Sequence, residues 1–343
     1  MKPRPSFFSH LHPPTLPARE ARFRHTFGLG GTALLLLGVL GLTGALELFY
    51  YEPSLAGANA SLQTLTFLVP FGGLVRSLHY WAAQLLVVIV GLHMLRVMLT
   101  RAYTAPRRFN WLLGLILLVG VLLLDFTGYA LRWDQGIAWA LLVGTNLLKA
   151  IPLVGPALYG MVVGGPELGA SSLIRLYAWH VFGLAVPVFV VVVWHLFRVR
   201  RDGGIAHPAA QPGTPAPGRI TRAELVQREG LAALVVTAGL VVLAALAPPA
   251  LGPAADFEAL PVEPTAPWFF IWVQELLRLG EPVVWGVAVP AGLLAVLALL
   301  PYVIDWRPGR TGAWFSREGR AAQWLALGLI LLVAGLTVTG ALR

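Results

Sequence analysis

Seven apolar stretches, at 27–48, 78–99, 110–131, 177–198, 229–247, 283–304 and 321–341, dominate this sequence. About 20 residues of helix cross roughly 30 Å of hydrocarbon. Inside hydrocarbon a chain must satisfy its own backbone N–H and C=O groups, which selects helices for single stretches of this kind. The expected fold is therefore all-α and membrane-integral, with seven transmembrane helices. A composition of 57% hydrophobic and 12% charged residues excludes an ordinary soluble domain. The first stretch is too long for a signal-peptide core, so residues 1–24, Pro-rich and basic, read as a retained tail.

A net charge of +9 suggests nucleic acid in a soluble protein, but the placement of the basic residues explains it better here. Arg19, Arg22 and Arg24 precede the first stretch; Arg96, Arg101, Arg107 and Arg108 flank the second connection; Arg198, Arg200, Arg201, Arg219, Arg222 and Arg228 the fourth; Arg307, Arg310, Arg317 and Arg320 the sixth. The other face keeps Arg76, Arg132, Lys149, Arg175 and Arg278 with most of the acids. The positive-inside rule then puts the amino terminus in the cytoplasm; a bacterial cytoplasmic membrane is the expected location, and no nucleic-acid partner is expected.

Residues 202–220, DGGIAHPAAQPGTPAPGRI, form a Pro/Gly/Ala-rich linker. It separates a front section of four helices, 25–201, from a rear section of three, 221–343. The long outer connections 132–176 and 248–281 carry apolar and aromatic residues suited to short surface helices. The sequence contains no cysteine, which excludes a thiolate-held iron–sulfur cluster or a thioether-linked haem within this chain.

Four histidines lie inside two of the front stretches: His79 and His93 in one, His180 and His195 in the other. An imidazole without a partner is costly inside a membrane, so two per helix in matching places imply a ligand held between the helices. Fourteen helical residues rise about 21 Å and stop about 40° short of whole turns, while fifteen overshoot by about 60°. Each helix thus presents both histidines on broadly one face. The charge rule makes the two helices run in the same direction, so the pairs are His79 with His180 and His93 with His195. Two axial imidazoles per iron and a tight apolar cleft are what a membrane haem requires. Two non-covalent haems are expected, the outer on the first pair and the inner on the second.

Gly30 and Gly44 in the first stretch, and Gly114 and Gly128 in the third, repeat the fourteen-residue interval and would let a flat macrocycle approach the backbone. Arg76 and Arg175 lie near the outer histidines, Arg96 and Arg198 near the inner ones, positioned for haem propionates. As interface anchors they would serve equally.

These segments resemble the cytochrome b subunit of quinol:cytochrome c oxidoreductases, the cytochrome bc and bf complexes. The resemblance rests on LGGTALLLLGVLGLTGALELFYYEP, VRSLHYWAAQLLVVIVGLHMLRV, TGYALRWDQ and IRLYAWHVFGLAVP, and the 14-then-15 spacing is similar to the chloroplast and Gram-positive branch. The rear section resembles that branch's separate three-helix subunit, here fused, most clearly at VPAGLLAVLALLP. The resemblance implies oxidation of quinol near the outer face. One electron would go to a Rieske iron–sulfur protein and on to a c-type cytochrome. The other would cross two b haems to quinone near the inner face, with proton translocation in a dimeric complex.

Three positions depart from the family's pattern. Gly28 stands where the chloroplast branch has a haem-anchoring cysteine, so no covalently attached haem is expected. Arg132 replaces the proline of GYxLPW. The family's outer-loop P-E-W-Y, whose glutamate takes a proton from quinol, aligns with Ala266, Pro267, Trp268 and Phe269. Glu275 is the first substitute for that glutamate, with Glu263 and Asp134 behind it. Tyr129, Trp268, Phe269 and Phe270 are expected to line the outer quinone pocket. His25 and His207, with Arg22 or Arg24, are available near the inner one. Two other readings stay open: a cytochrome b paralogue in a Rieske-independent, quinone-linked oxidoreductase, and a transporter whose histidines relay protons.

Overall fold

The computed structural model describes residues 14–18, 23–208, 218–257 and 265–343. Arg22, Glu263, most of the N-terminal tail and the middle of the linker lie outside the described residues. Seven helices are long and apolar enough to cross a membrane: α1 (Leu29–Glu47), α3 (Gly72–Leu99), α4 (Arg108–Leu131), α7 (Ala170–Arg201), α8 (Arg222–Leu246), α10 (Val283–Ile304) and α11 (Arg317–Ala341). The all-α membrane architecture expected from the apolar stretches is what forms. Between the crossings lie α2 (Gly57–Phe67), α5 (Gln135–Ala150), α6 (Gly155–Val163) and α9 (Trp268–Leu277). Leu234, Val235 and Leu331, each more than 60% exposed on long apolar helices, give the bundle an outer surface suited to lipid.

The two ends of the bundle are built differently. At one end, Asp134 is fully buried and caps α5 by accepting from Ile137 N at 3.1 Å, while also pairing with Arg132. It accepts from Gly252 N at 3.3 Å as well, and Asn59 Nδ2 donates to Gly252 O at 3.1 Å. These bonds fasten the connection after α8 to the ends of α2 and α4. Arg132 thereby finds a structural use where the family has proline, its guanidinium lying 5.0 Å over the Tyr129 ring. Asp134 is thus a capping and pairing residue.

At the other end, Arg101 reaches Asp305 through two nitrogens, at 2.7 and 2.5 Å, and Tyr103 donates to the same carboxylate at 2.5 Å. All three side chains are buried. The Asp305 carboxylate holds the Arg101 pKa above its ordinary value, and burial pushes the Tyr103 phenol up. Beside this cluster, Met98, Trp111, Leu115, Leu297 and Ala322 join α3, α4, α10 and α11 in one core. Pro301 has no N–H to offer the Leu297 carbonyl, which accepts from Trp111 Nε1 at 2.7 Å. The linker's two flanks are also tied down: Arg219–Thr221 pairs antiparallel with Thr15–Pro17, and Arg107 Nε donates to Gly204 O at 3.2 Å.

Candidate cofactor-binding site

Helices α3 and α7 bring the four intramembrane histidines together in two pairs. The rings of His79 and His180 face each other with centroids 6.3 Å apart and planes at 60°. That spacing leaves room for one metal between facing ring nitrogens, since a metal–imidazole bond is about 2 Å. His93 lies within electrostatic reach of His195 toward the opposite end of the bundle. All four rings sit deep among the crossings, yet each keeps part of its surface accessible. Among the described residues no group of three or more His, Cys, Asp or Glu is placed to hold a bare ion. Two imidazoles alone are an incomplete set for an ion but a complete axial set for a porphyrin iron.

Each histidine has its own glycine. A Cβ on Gly44 would stand 3.1 Å from His79 Cε1, and one on Gly128 3.0 Å from His180 Cε1. At the other level a Cβ on Gly30 would be 3.5 Å from His93 Cε1, and one on Gly114 3.7 Å from His195 Cε1. The fourteen-residue glycine interval in α1 and α4 therefore matches the histidine interval in α3, and the cradle fits a haem between bare backbone surfaces.

Two hydroxyls fix the first pair. Thr43 Oγ1 donates to Val39 O at 2.7 Å and so accepts from His79 Nδ1–H at 2.9 Å. Thr127 Oγ1 donates to Leu123 O at 2.8 Å and takes His180 Nδ1–H at 3.0 Å. With Nδ1 protonated, Nε2 of both rings carries the lone pair a metal needs. These threonines escaped the sequence reading, although a Thr-Gly dipeptide recurs at 43–44 and 127–128. At the second pair, His195 Nδ1 is buried without a well-formed hydrogen bond among the described residues.

The unequal spacings, 14 in α3 and 15 in α7, are reconciled by a π-helical stretch at Trp179–Leu184. A π turn takes up more residues than an α turn, so the extra residue after His180 is absorbed before His195. Gly183 permits it, because a Cβ there would meet the Trp179 ring at 2.3 Å.

Of the four arginines expected near the cofactors, two retain an unused, buried nitrogen. Arg76 donates through Nη2 to Pro249 O, and its Nε has no partner among the described residues. Arg96 Nε donates to His25 O at 3.2 Å while its Nη2 is buried and unpartnered among the described residues. The other two are engaged elsewhere. Arg175 bonds the Gly160 and Met161 carbonyls, and Arg198 is paired with Asp202 at 2.9 Å.

The structure brings Tyr129, Trp268, Phe269 and Phe270 together. Tyr129 and Phe269 rings are 5.8 Å apart, Phe269 and Phe270 4.9 Å, and Phe126 joins Phe270 at 5.8 Å. Glu275 is not joined to this group by any hydrogen bond in the described structure. It is 5% exposed, pairs with Arg278 at 3.0 Å and Arg343 at 3.2 Å, and packs against Gly340, fastening α9 to α11. Two polar side chains that the sequence reading passed over do join the aromatic group: Gln84 of α3 and Asp125 of α4. Toward the Arg101 end, His25 donates through Nε2 to Ala206 O, and its pKa is lowered, chiefly by burial, from the ordinary 6.5. His207 lies within its electrostatic reach.

Residues 18–203 match the family Cytochrome b/b6/petB. The chain is 42% identical over 177 residues to cytochrome b6 of Heliomicrobium gestii, covering 52% of this chain and 83% of that one. It is 37% identical over 175 residues to the menaquinol:cytochrome c reductase cytochrome b subunit of Geobacillus thermodenitrificans, covering 51% and 79%. Its fold is similar to a chain of a solved hyperthermophilic respiratory Complex III, with a TM-score of 0.71 at 22% identity over 92% of this chain and 91% of that one. That likeness extends the shared fold across the rear crossings. The family match spans more than half of the chain, which belongs to the cytochrome b/b6 family.

Proposed function

We propose that this chain is the membrane electron-transfer subunit of a quinol:cytochrome c oxidoreductase and holds two non-covalent b-type haems. Membership of the family implies b-type haem. The observation that carries the reading is the pairing of four deep histidines at two levels, each against its own glycine. His79 and His180 hold one haem toward the outer face, and His93 and His195 the other toward the inner face. Bound there, the haems supply a one-electron path between the two faces.

The chain's own residues prepare that path. Thr43 and Thr127 orient the outer imidazoles, the four glycines admit the macrocycles, and Arg76 and Arg96 offer their unused nitrogens to propionates. Tyr129, Trp268, Phe269 and Phe270 hold a quinol ring at the outer end and exclude water from it. His25 and His207 stand at the inner quinone site. Domain 25–201 carries the haem ligands, 202–220 links it to 221–343, and the amino terminus is cytoplasmic. A Rieske iron–sulfur protein and a c-type cytochrome complete a dimeric complex in the bacterial cytoplasmic membrane, coupling the reaction to proton translocation.

Reduced-minus-oxidised absorption spectra of the purified complex test this. Two b-type signals are expected, one lost in His180→Ala and the other in His195→Ala, both reducible by quinol in the wild type. A colourless protein, or a single haem spanning both levels, overturns the assignment. Pro267, where the family's loop glutamate would stand, favours one second reading, a Rieske-independent oxidoreductase. Co-purification of an iron–sulfur protein and a c-type cytochrome decides against that reading.

A further inference from the structure

Gln84 and Asp125 lie one helical turn inward of the aromatic group and join it by hydrogen bonds. Trp268 Nε1–H donates to Gln84 Oε1 at 2.6 Å, and the Tyr129 hydroxyl lies 3.3 Å from the same oxygen. An indole is a donor only, so it fixes the orientation of the Gln84 amide, whose Nε2–H then donates to Asp125 Oδ1 at 3.2 Å. Asp125 Oδ2 is left buried with no hydrogen-bonding partner among the described residues, on a side chain only 7% exposed. A carboxyl group with one oxygen held and the other free, inside a membrane helix, is expensive unless it has a task.

We propose that Asp125 is the proton acceptor for quinol at the outer site, in place of the glutamate that Pro267 displaces. The proposal rests on the quinol-oxidising reading above. The quinol O–H bond breaks, its proton forms an O–H bond on Asp125 Oδ2, and the electron pair stays on the quinol oxygen. The quinol's two electrons leave singly to the one-electron acceptors of the complex, and the second O–H proton is taken by the same carboxylate once the first has passed outward, which leaves quinone. Gln84 keeps its bond to Oδ1 through both protonation states, so it positions the carboxyl without being consumed. The Tyr129 hydroxyl lies 3.2 Å from that of Tyr80, and both residues are nearer the outer ends of their helices than Gln84 and Asp125, which marks the direction of proton release.

The groups that bear on the acid are few. From α3, Gln84 bonds it and Tyr80 meets the Tyr129 hydroxyl; Tyr129, one turn on in α4, is within its electrostatic reach and carries the Arg132 guanidinium over its ring; the outer loop contributes the neutral Trp268. From α7, His180 meets α4 at Thr127, two residues on.

The test is quinol-driven haem reduction in the intact complex as a function of pH, with infrared difference spectra taken on quinol oxidation. Asp125→Asn is expected to keep both b-haem signals, slow the reaction about 100-fold, and remove a carboxyl band present in the wild type. Asp125→Glu is expected to restore the band and most of the rate with a displaced pH profile. Should Asp125→Asn fail to assemble, Asp125→Glu and Gln84→Leu carry the test, since both must displace the profile. Unchanged rate, profile and infrared band with haems reducible by quinol overturn the proposal alone. Wild-type haems that quinol cannot reduce overturn the functional reading beneath it.

Discussion

The Thr43 hydroxyl stands 2.9 Å from His79 Nδ1, and its own proton is spent on the Val39 carbonyl. The threonine is therefore an acceptor for the imidazole and selects the tautomer with Nε2 free. Thr127 does the same for His180. Replacing such a partner of a metal-bound histidine costs about 10- to 100-fold in affinity or activity. Thr43→Val with Thr127→Val, which keeps the side-chain shape, should weaken haem retention at the His79–His180 level by that order. The His93–His195 signal should be unaffected. Haem content and difference spectra after detergent dilution measure this, and equal loss at both levels would count against the tautomer argument.

The glycine cradle is tighter at one level than at the other. Added methyls at Gly44 and Gly128 would lie 3.1 and 3.0 Å from imidazole carbons, closer than a Cβ normally sits, whereas those at Gly30 and Gly114 would lie 3.5 and 3.7 Å away. Gly44→Ala and Gly128→Ala should displace His79 and His180 and deplete one b-type signal. Gly30→Ala and Gly114→Ala should disturb their histidines less and deplete the other b-type signal to a smaller extent. Parallel difference spectra of the four variants decide it; the reverse ranking would refute the geometry.

The aromatic group was legible because its residues lie in or beside motifs that resemble the family's, and the crossings and the histidine pairing because each is carried by spacing along single helices. Paired glycines fourteen apart were legible for the same reason. The π turn after His180 was not, since an extra residue in a helix leaves no local composition signal beyond Gly183. Asp125 carried a readable sign, an acid inside an apolar stretch, but its partner Gln84 lies 41 residues away on another helix. The pairing of Glu275 with Arg278 and Arg343 was not legible, because it is fixed only when α9 packs on α11. Position along a loop says little about which side of a short helix faces the site.

Arg101 and Asp305, 204 residues apart in sequence, are 2% and 7% exposed, and their pair joins the α3–α4 connection to the end of α10. Removing one member of a buried pair leaves an uncompensated charge and costs about 3–5 kcal/mol. Asp305→Asn should lower thermal stability by that order, and Arg101→Met combined with Asp305→Leu should be less damaging than either single change. Melting of the solubilised complex, followed by haem absorbance, gives the comparison. A double variant as unstable as the sum of the singles would show that the pair does not act as a unit.

His25 couples the segment before α1 to the first part of the linker through its bond to the Ala206 carbonyl. Burial lowers its pKa from the ordinary 6.5, with the Arg96 charge acting in the same direction, and the bond to Ala206 only partly opposes this. The folded protein thus binds fewer protons at this site than the unfolded chain does between the lowered value and 6.5. The stability contributed by neutral His25 is complete above pH 6.5 and is lost as the pH falls through the folded value. Amide hydrogen exchange at residues 203–207 should therefore show protection relative to His25→Gln that declines on going from about pH 7.5 to about pH 5. In His25→Gln, which has no titrating ring, protection should lose this pH dependence once intrinsic exchange rates are corrected for. Protection that is flat with pH in the wild type would mean that the linker is held by Arg107 and its bonds to Gly203 and Gly204 instead.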